Sequence, residues 1–189
     1  MTSNLFKQQA KRAMATRGQK SCLIIDHLVE ALAGDPAANL KRALILNYID
    51  EAPGITQTEI LNRMKISKSA MNREIEWLFN YGCIRRHNDD KDGRAIQLET
   101  CGYAQRALEN ALDYFPEKHK GLHFFLELYI KVLKQDRPTL RDARIISTIY
   151  DKGNIAKSDL VEDLYNGPVT TDNRALKKLV EDGVIKDGK

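Results

Sequence analysis

The stretch ITQTEILNRMKISKSAMNREIEWLFNYGCI, from Ile55 to Ile84, decides the fold. Thr56 stands three residues before Glu59, the spacing of a capping box, so a helix starts at Thr56. Ile60, Leu61 and Met64 turn inward at helical spacing. A short turn follows at Lys65 to Ser67. The next helix runs from Ser67 to about Tyr81, with Met71, Ile75, Leu78 and Phe79 as its apolar stripe. Gly82 supplies the left-handed stop. Ile84 to His87 reads as a strand, Asn88 to Gly93 as a polar turn, and Arg94 to Glu99 as the return strand with Ile96 and Leu98 alternating.

Working outward, the same pattern returns about one hundred residues later as IAKSDLVEDLYNGPVTTDNRALKKLVEDGVI, Ile155 to Ile185. The two copies differ by one residue in length. Ile55 pairs with Ile155, Glu59 with Asp159, Ile60 with Leu160, Asn72-Arg73 with Asn173-Arg174, Leu78 with Leu179, Gly82 with Gly183 and Ile84 with Ile185. An apolar helix precedes each copy, Leu40 to Asp50 and Leu140 to Asp151, and a proline precedes each helix (Pro36, Pro138). An internal repeat of this kind signals a duplicated unit. Each unit reads as helix, turn, helix, tight turn, helix and strand, which is the order of a winged helix-turn-helix. The fold class is therefore mainly α, with tandem winged helix-turn-helix domains joined by long amphipathic helices. The second wing is truncated: Val184 to Lys189 offers one strand and no return.

Two short helices cannot bury a three-helix core alone, so the third lies across them and keeps its far face free. In the first unit that face holds Lys68, Ser69, Asn72, Arg73 and Glu76. Serine and asparagine bond base edges or phosphates, and arginine reads guanine or grips phosphate. Arg85, on the strand that follows, and Lys91 and Arg94, on the wing, extend the candidate DNA-binding set. The second unit adds Thr170, Asn173, Arg174, Lys177 and Lys178.

With these residues in view, Ala43 to Gly102 resembles the winged helix of the MarR-type transcriptional regulators. The resemblance rests on the helix-turn-helix LNRMKISKSAMNREIEWLFNYGCIRR, on the wing turn Asp92-Gly93-Arg94, similar to the family's Asp-x-Arg motif, and on IQLETCG, similar to its Leu-Thr-x-x-Gly. It implies a recognition helix at Ser67 to Tyr81 and a minor-groove role for Arg94. Gly93 stands where the family often has a second basic residue, and Glu99 stands in the family's threonine position. The chain also continues past Lys134, where a usual member ends.

The resemblance implies a homodimer built from the helices after the wing and the N-terminal helix. Tyr103 to Phe115 carries Ala104, Ala107, Leu108, Ala111, Leu112 and Phe115 on one face. Leu122 to Lys134 carries Phe125, Leu126, Tyr129, Val132 and Leu133, and Cys22 to Ala33 carries Leu23, Ile24, Leu28 and Leu32. An apolar stripe specifies burial and not the partner, so packing between the two units of one chain stays open beside the dimer.

The 189 residues hold 30 Lys+Arg against 26 Asp+Glu. Lys7, Lys11, Arg12, Arg17 and Lys20 meet no acid within the first twenty residues, so the positive balance is a basic arm. That arm is either a solvated terminus or a phosphate-contacting extension. Residues 136–189 balance ten basic against ten acidic residues, which lowers their electrostatic pull on DNA relative to the first unit. The chain divides into the arm at 1–20, a MarR-like domain at 21–116, a linking or dimerisation helix at 117–135 and a second winged-helix-like domain at 136–189.

No P-loop, dinucleotide fingerprint, Gly-x-Ser-x-Gly elbow or Cys-x-x-Cys pair is present, so neither enzyme chemistry, a cofactor nor a metal is expected. His119 and His123 lie at i and i+4, but no Cys or carboxylate at fixed spacing completes a site. Cys22, Cys83 and Cys101 read as free thiols. Cys83 and Cys101 close the two ends of the wing hairpin as small buried hydrophobes, with a thiol switch left open. Trp77 reads as an edge-of-core residue. No apolar run or leader-like segment points to a membrane or to export, which places the chain in the cytoplasm, on the nucleoid.

The reading is a sequence-specific double-stranded DNA-binding transcriptional regulator, dimeric, reading a roughly palindromic site, with no feature that identifies an effector ligand. Two alternatives stay open. One is a plasmid or phage replication or partition protein. The other is a non-DNA tandem winged-helix scaffold of a chromosome-condensing complex.

Overall fold

The computed structural model describes residues 15–88, 96–164 and 169–186. Thr16 opens α1 (Arg17–Ala31) through a capping box with Gln19. Asn39 caps α2 (Leu40–Glu51), whose residues from Arg42 to Ile49 are all buried, as only a central helix can be. Then come β1 (Ile55–Thr56), α3 (Gln57–Arg63), α4 (Lys68–Asn80), β2 (Ile84–Asn88) and β3 (Ile96–Thr100). Strand β3 lies between β1 and β2, antiparallel to both, with Leu98 opposite Ile55 and Arg86. The buried Leu98 plugs this small sheet onto α2. After it run α5 (Gly102–Leu112), α6 (Lys118–Leu133), α7 (Leu140–Lys152), α8 (Lys157–Glu162) and α9 (Val169–Glu181). The winged helix-turn-helix of the first unit, α2 to β3, is thus present in the expected order.

The N-terminal helix starts at Arg17, so Arg17 and Lys20 lie on α1 itself. Among the described residues the second unit contains no strand. Gly183 (φ 68°) ends α9 as Gly82 (φ 67°) ends α4. Past it, the amides of Val184 and Ile185 turn back to the Leu179 carbonyl at 2.9 and 3.3 Å. A strand without a partner leaves its amides unpaired, so these amides close on the helix instead. The expected strand at Val184–Lys189 is corrected for Val184 to Lys186; Asp187 to Lys189 lie outside the described residues.

Two apolar residues point outward against expectation. Phe79 follows Leu78 directly, about a quarter-turn off the stripe, and is 42% exposed; the Arg86 guanidinium covers its ring at 4.4 Å. Ile96 sits opposite Asn88 at the far end of the hairpin from the helices and is 49% exposed.

The apolar stripe of α5 is spent inside the chain. Ala104, Ala107, Leu108, Ala111 and Leu112 are buried, and α5 packs on α1. The other side of α1 packs on α7. There the Thr16 hydroxyl donates to the Asp151 carboxylate, Arg144 Nε donates to Asp26 at 2.9 Å, and the Cys22 thiol lies 3.7 Å from the Thr148 hydroxyl. Burial pushes the Cys22 thiol above its ordinary range. Helix α6 lies along α2 through Leu122, Leu126 and Leu133 and leaves Phe124, Leu128 and Val132 exposed. Its His119 bonds Asn47 of α2 at 3.0 Å, and Asn47 donates back to the His119 carbonyl at 3.2 Å.

Helix α1 comes close to α7 at Gly18, where a Cβ would stand 2.5 Å from Asp151 Cβ and 2.6 Å from its Cα. Gly18→Ala should therefore separate the helices and cost about 1–3 kcal/mol, the usual price of overpacking. Thermal and urea unfolding read the loss; an unchanged midpoint would contradict this contact.

Candidate nucleic-acid interface

Helix α4 is capped by Ser67, whose hydroxyl accepts from the Ala70 amide at 3.2 Å. Met71, Ile75 and Leu78 turn to the core, and with them Glu74. The Glu74 carboxylate accepts from Arg42 Nε of α2 at 2.8 Å, with both side chains about nine-tenths buried. The same guanidinium lies 3.8 Å from the centre of the Trp77 ring, which stacks on Tyr81 at 4.2 Å. A charged and stacked clamp thus sets the roll of α4 about its own axis. Sequence reading passed over Glu74, although its place three residues after Met71 on the buried stripe was a usable signal.

That roll turns Lys68, Ser69, Asn72, Arg73 and Glu76 to the outside, and all five are exposed. Asn72 Oδ1 accepts from Gln57 Nε2 at the start of α3, which ties the two helices of the turn together. Ser69 and Ser67 hydroxyls lie 3.1 Å apart. Glu76, the acid on this face, pairs with Arg86 of β2 at 2.7 Å, so its charge is answered locally. Arg85 is exposed on the neighbouring strand. Asn88, expected in the wing turn, is the last residue of β2, and Lys91 and Arg94 lie with the rest of 89–95 outside the described residues. The base of the wing is held by β2–β3 pairing and by His87 against Glu99 at 3.2 Å.

In the second unit Thr170, Arg174, Lys177 and Lys178 are exposed on α9, and Asn173 is half-buried. Lys177 lies 3.6 Å from Glu181, and Lys178 donates to Gln135 at 3.1 Å. A buried ion pair anchors this helix too: Arg141 of α7 donates to Asp172 at 2.7 Å.

The other residues singled out from the sequence have structural partners. His123 packs against the Tyr48 ring at 5.4 Å. The Cys83 thiol is fully buried, 3.2 Å from the Tyr103 hydroxyl, and burial raises its pKa. Cys101 is half-buried and free. Among the described residues no three of His, Cys, Asp and Glu converge on one point, and no helix is long and apolar enough to cross a membrane.

Residues 39–95 match the model of the MarR family. This segment of the chain is a MarR-type winged helix-turn-helix, a DNA-binding module of transcriptional regulators. No curated protein and no solved structure matches the chain.

Two outcomes test how the interface is built. Glu74→Ala leaves the Arg42 charge buried beside one remaining partner ring, and should cost about 3–5 kcal/mol in denaturant unfolding. Arg42→Met with Glu74→Leu should recover most of that loss, because an apolar pair carries no desolvation penalty. At the start of α3, the Thr56 amide and hydroxyl each donate to Glu59 at 2.7 Å and hold its carboxyl below the ordinary glutamate value of 4.5. Stability from this cap is complete above that value and is lost as pH falls through the lowered one. The acid limb of the stability curve should therefore be shallower in Glu59→Gln than in the parent chain.

Proposed function

We propose that the chain is a sequence-specific double-stranded DNA-binding transcriptional regulator acting on cytoplasmic, nucleoid DNA. The observation that supports this reading best is the outward side of α4. Lys68, Ser69, Asn72 and Arg73 form an exposed polar and basic surface on a helix whose opposite side is locked to α2. In this reading α4 enters the major groove. Asn72 and Arg73 meet base edges there, adenine and guanine being their natural partners. Lys68 and Ser69, at the helix N-terminus, sit where backbone amides and the helix dipole favour phosphate. Arg85, Lys91 and Arg94 follow the strand and wing to the adjacent minor groove, whose negative potential favours arginine.

The dimer expected from the family needs a surface that the chain has not used. With the stripes of α1 and α5 buried internally, the outer side of α6 supplies it. Phe124, Leu128 and Val132 recur every fourth residue, and Phe124 is 70% exposed. Two copies meeting along α6 would cover this stripe.

Arg73→Ala should weaken binding to a selected duplex by about 1–3 kcal/mol and relax the base preference at one position. Lys68→Ala should weaken all sequences alike and reduce the salt slope by about one. Affinity that does not fall with salt would point to a protein partner instead. Leu128→Asp should shift the sedimenting species from dimer to monomer.

A further inference from the structure

The repeat is not strung out as two beads; it is folded back on itself about a local two-fold axis. Asn39 and Thr139 stand one hundred positions apart and are bridged antiparallel. Their hydrogen bonds are reciprocal: the Leu40 amide donates to the Pro138 carbonyl at 2.8 Å, and the Leu140 amide donates to the Ala38 carbonyl at 2.9 Å. Both bridged residues are N-caps, each accepting from the amide three residues on. An antiparallel pair of this kind maps onto itself by a two-fold rotation. The rotation exchanges α2 with α7, the first helices of the two units.

The leading helices obey the same exchange. Shifted by one hundred positions, α1 at 17–31 falls on α6 at 118–133. The helix that leads the first unit packs on α7 of the second, and the helix that leads the second packs on α2 of the first. This is the reciprocal swap of a two-fold dimer, made inside one chain. Each unit then carries its own reading helix, packed on its own first helix and anchored to it by a buried arginine–carboxylate pair: Arg42–Glu74 holds α4 and Arg141–Asp172 holds α9.

Resting on the DNA-binding reading above, we propose that a single chain is a complete two-headed reader. In this proposal α4 and α9 occupy two half-sites in inverted orientation on one duplex. Two-fold related elements recognise two-fold related half-sites. The basic outward residues of α9, Arg174, Lys177 and Lys178, give the second head its contact with phosphate. Because the two reading faces differ in sequence, the half-sites differ as well. The preferred duplex is an imperfect inverted repeat.

The test is selection of duplexes from a random pool with the full chain, followed by footprinting and by the mass of the complex. The expected result is two unlike, inverted half-sites protected by one chain, with Leu128→Asp protecting both. Asn72→Ala/Arg73→Ala should lose protection over one half-site, and Arg174→Ala/Lys177→Ala over the other, each with a roughly tenfold loss of affinity. All four substituted side chains are exposed or capped by a single bond, and unfolding midpoints confirm that the folds persist. Thr170→Ala serves as a second, milder probe of α9. If the α9 variants leave footprint and affinity unchanged while the α4 variant abolishes them, or if protection of two half-sites needs two chains, this proposal is overturned and the DNA-binding reading stands. If the full chain selects no duplex, the DNA-binding reading itself fails.

Discussion

A helix-turn-helix unit leaves the back of its first helix bare, and the rest of this structure depends on how that back is covered. Here α2 is covered by α6 and α7 by α1, so the lid of each unit is the helix that leads the other. The apolar surface involved is large: Ile25, Leu28, Leu32, Ile45, Leu46 and Ile49 are all fully buried. Removal of such side chains from water is the main favourable term in folding, on the order of 1.5–3 kcal/mol for each. Because each lid belongs to the opposite unit, neither unit completes its core alone. One contiguous apolar cluster runs from Ile24 to Leu179.

Polar groups inside that core set orientation. Arg42–Glu74 and Arg141–Asp172 are costly to bury and add little net stability, but each breaks badly when rotated. A purely apolar contact between α2 and α4 would tolerate a shift of α4 along or about its axis. The bidirectional constraint of a charge pair, with Trp77 stacked beneath the guanidinium, does not. The same pair that points Glu74 inward thereby points Asn72 and Arg73 outward. The side chains offered to solvent are placed by residues that never reach it.

The local chemistry of the chain was readable from its residues. The capping box at Thr56 starts its helix, Gly82 and its counterpart Gly183 end theirs, and Leu98 fills the sheet. The misread positions share a cause. Phe79 and Ile96 have the right residue type for a core, but lie one step off the stripe or beyond the reach of the helices, where arginine or water covers them. Val184 and Ile185 have strand character and, among the described residues, no strand to pair with. Glu74 has the wrong residue type for a core and the right register.

By itself the sequence determined the elements and the winged helix-turn-helix order of the first unit and which residues of α4 share a face. These follow from periods of 3.6 and 2 and from capping rules, which act over a few residues. Only the tertiary structure decided which helix covers which. The stripes on α1, α5 and α6 are all apolar, and hydrophobic attraction is non-directional. The choice between a partner chain and the chain's own second half was made by geometry: the reciprocal bridge at Asn39 and Thr139, the close approach at Gly18 and the small residues of α5 let the chain close on itself.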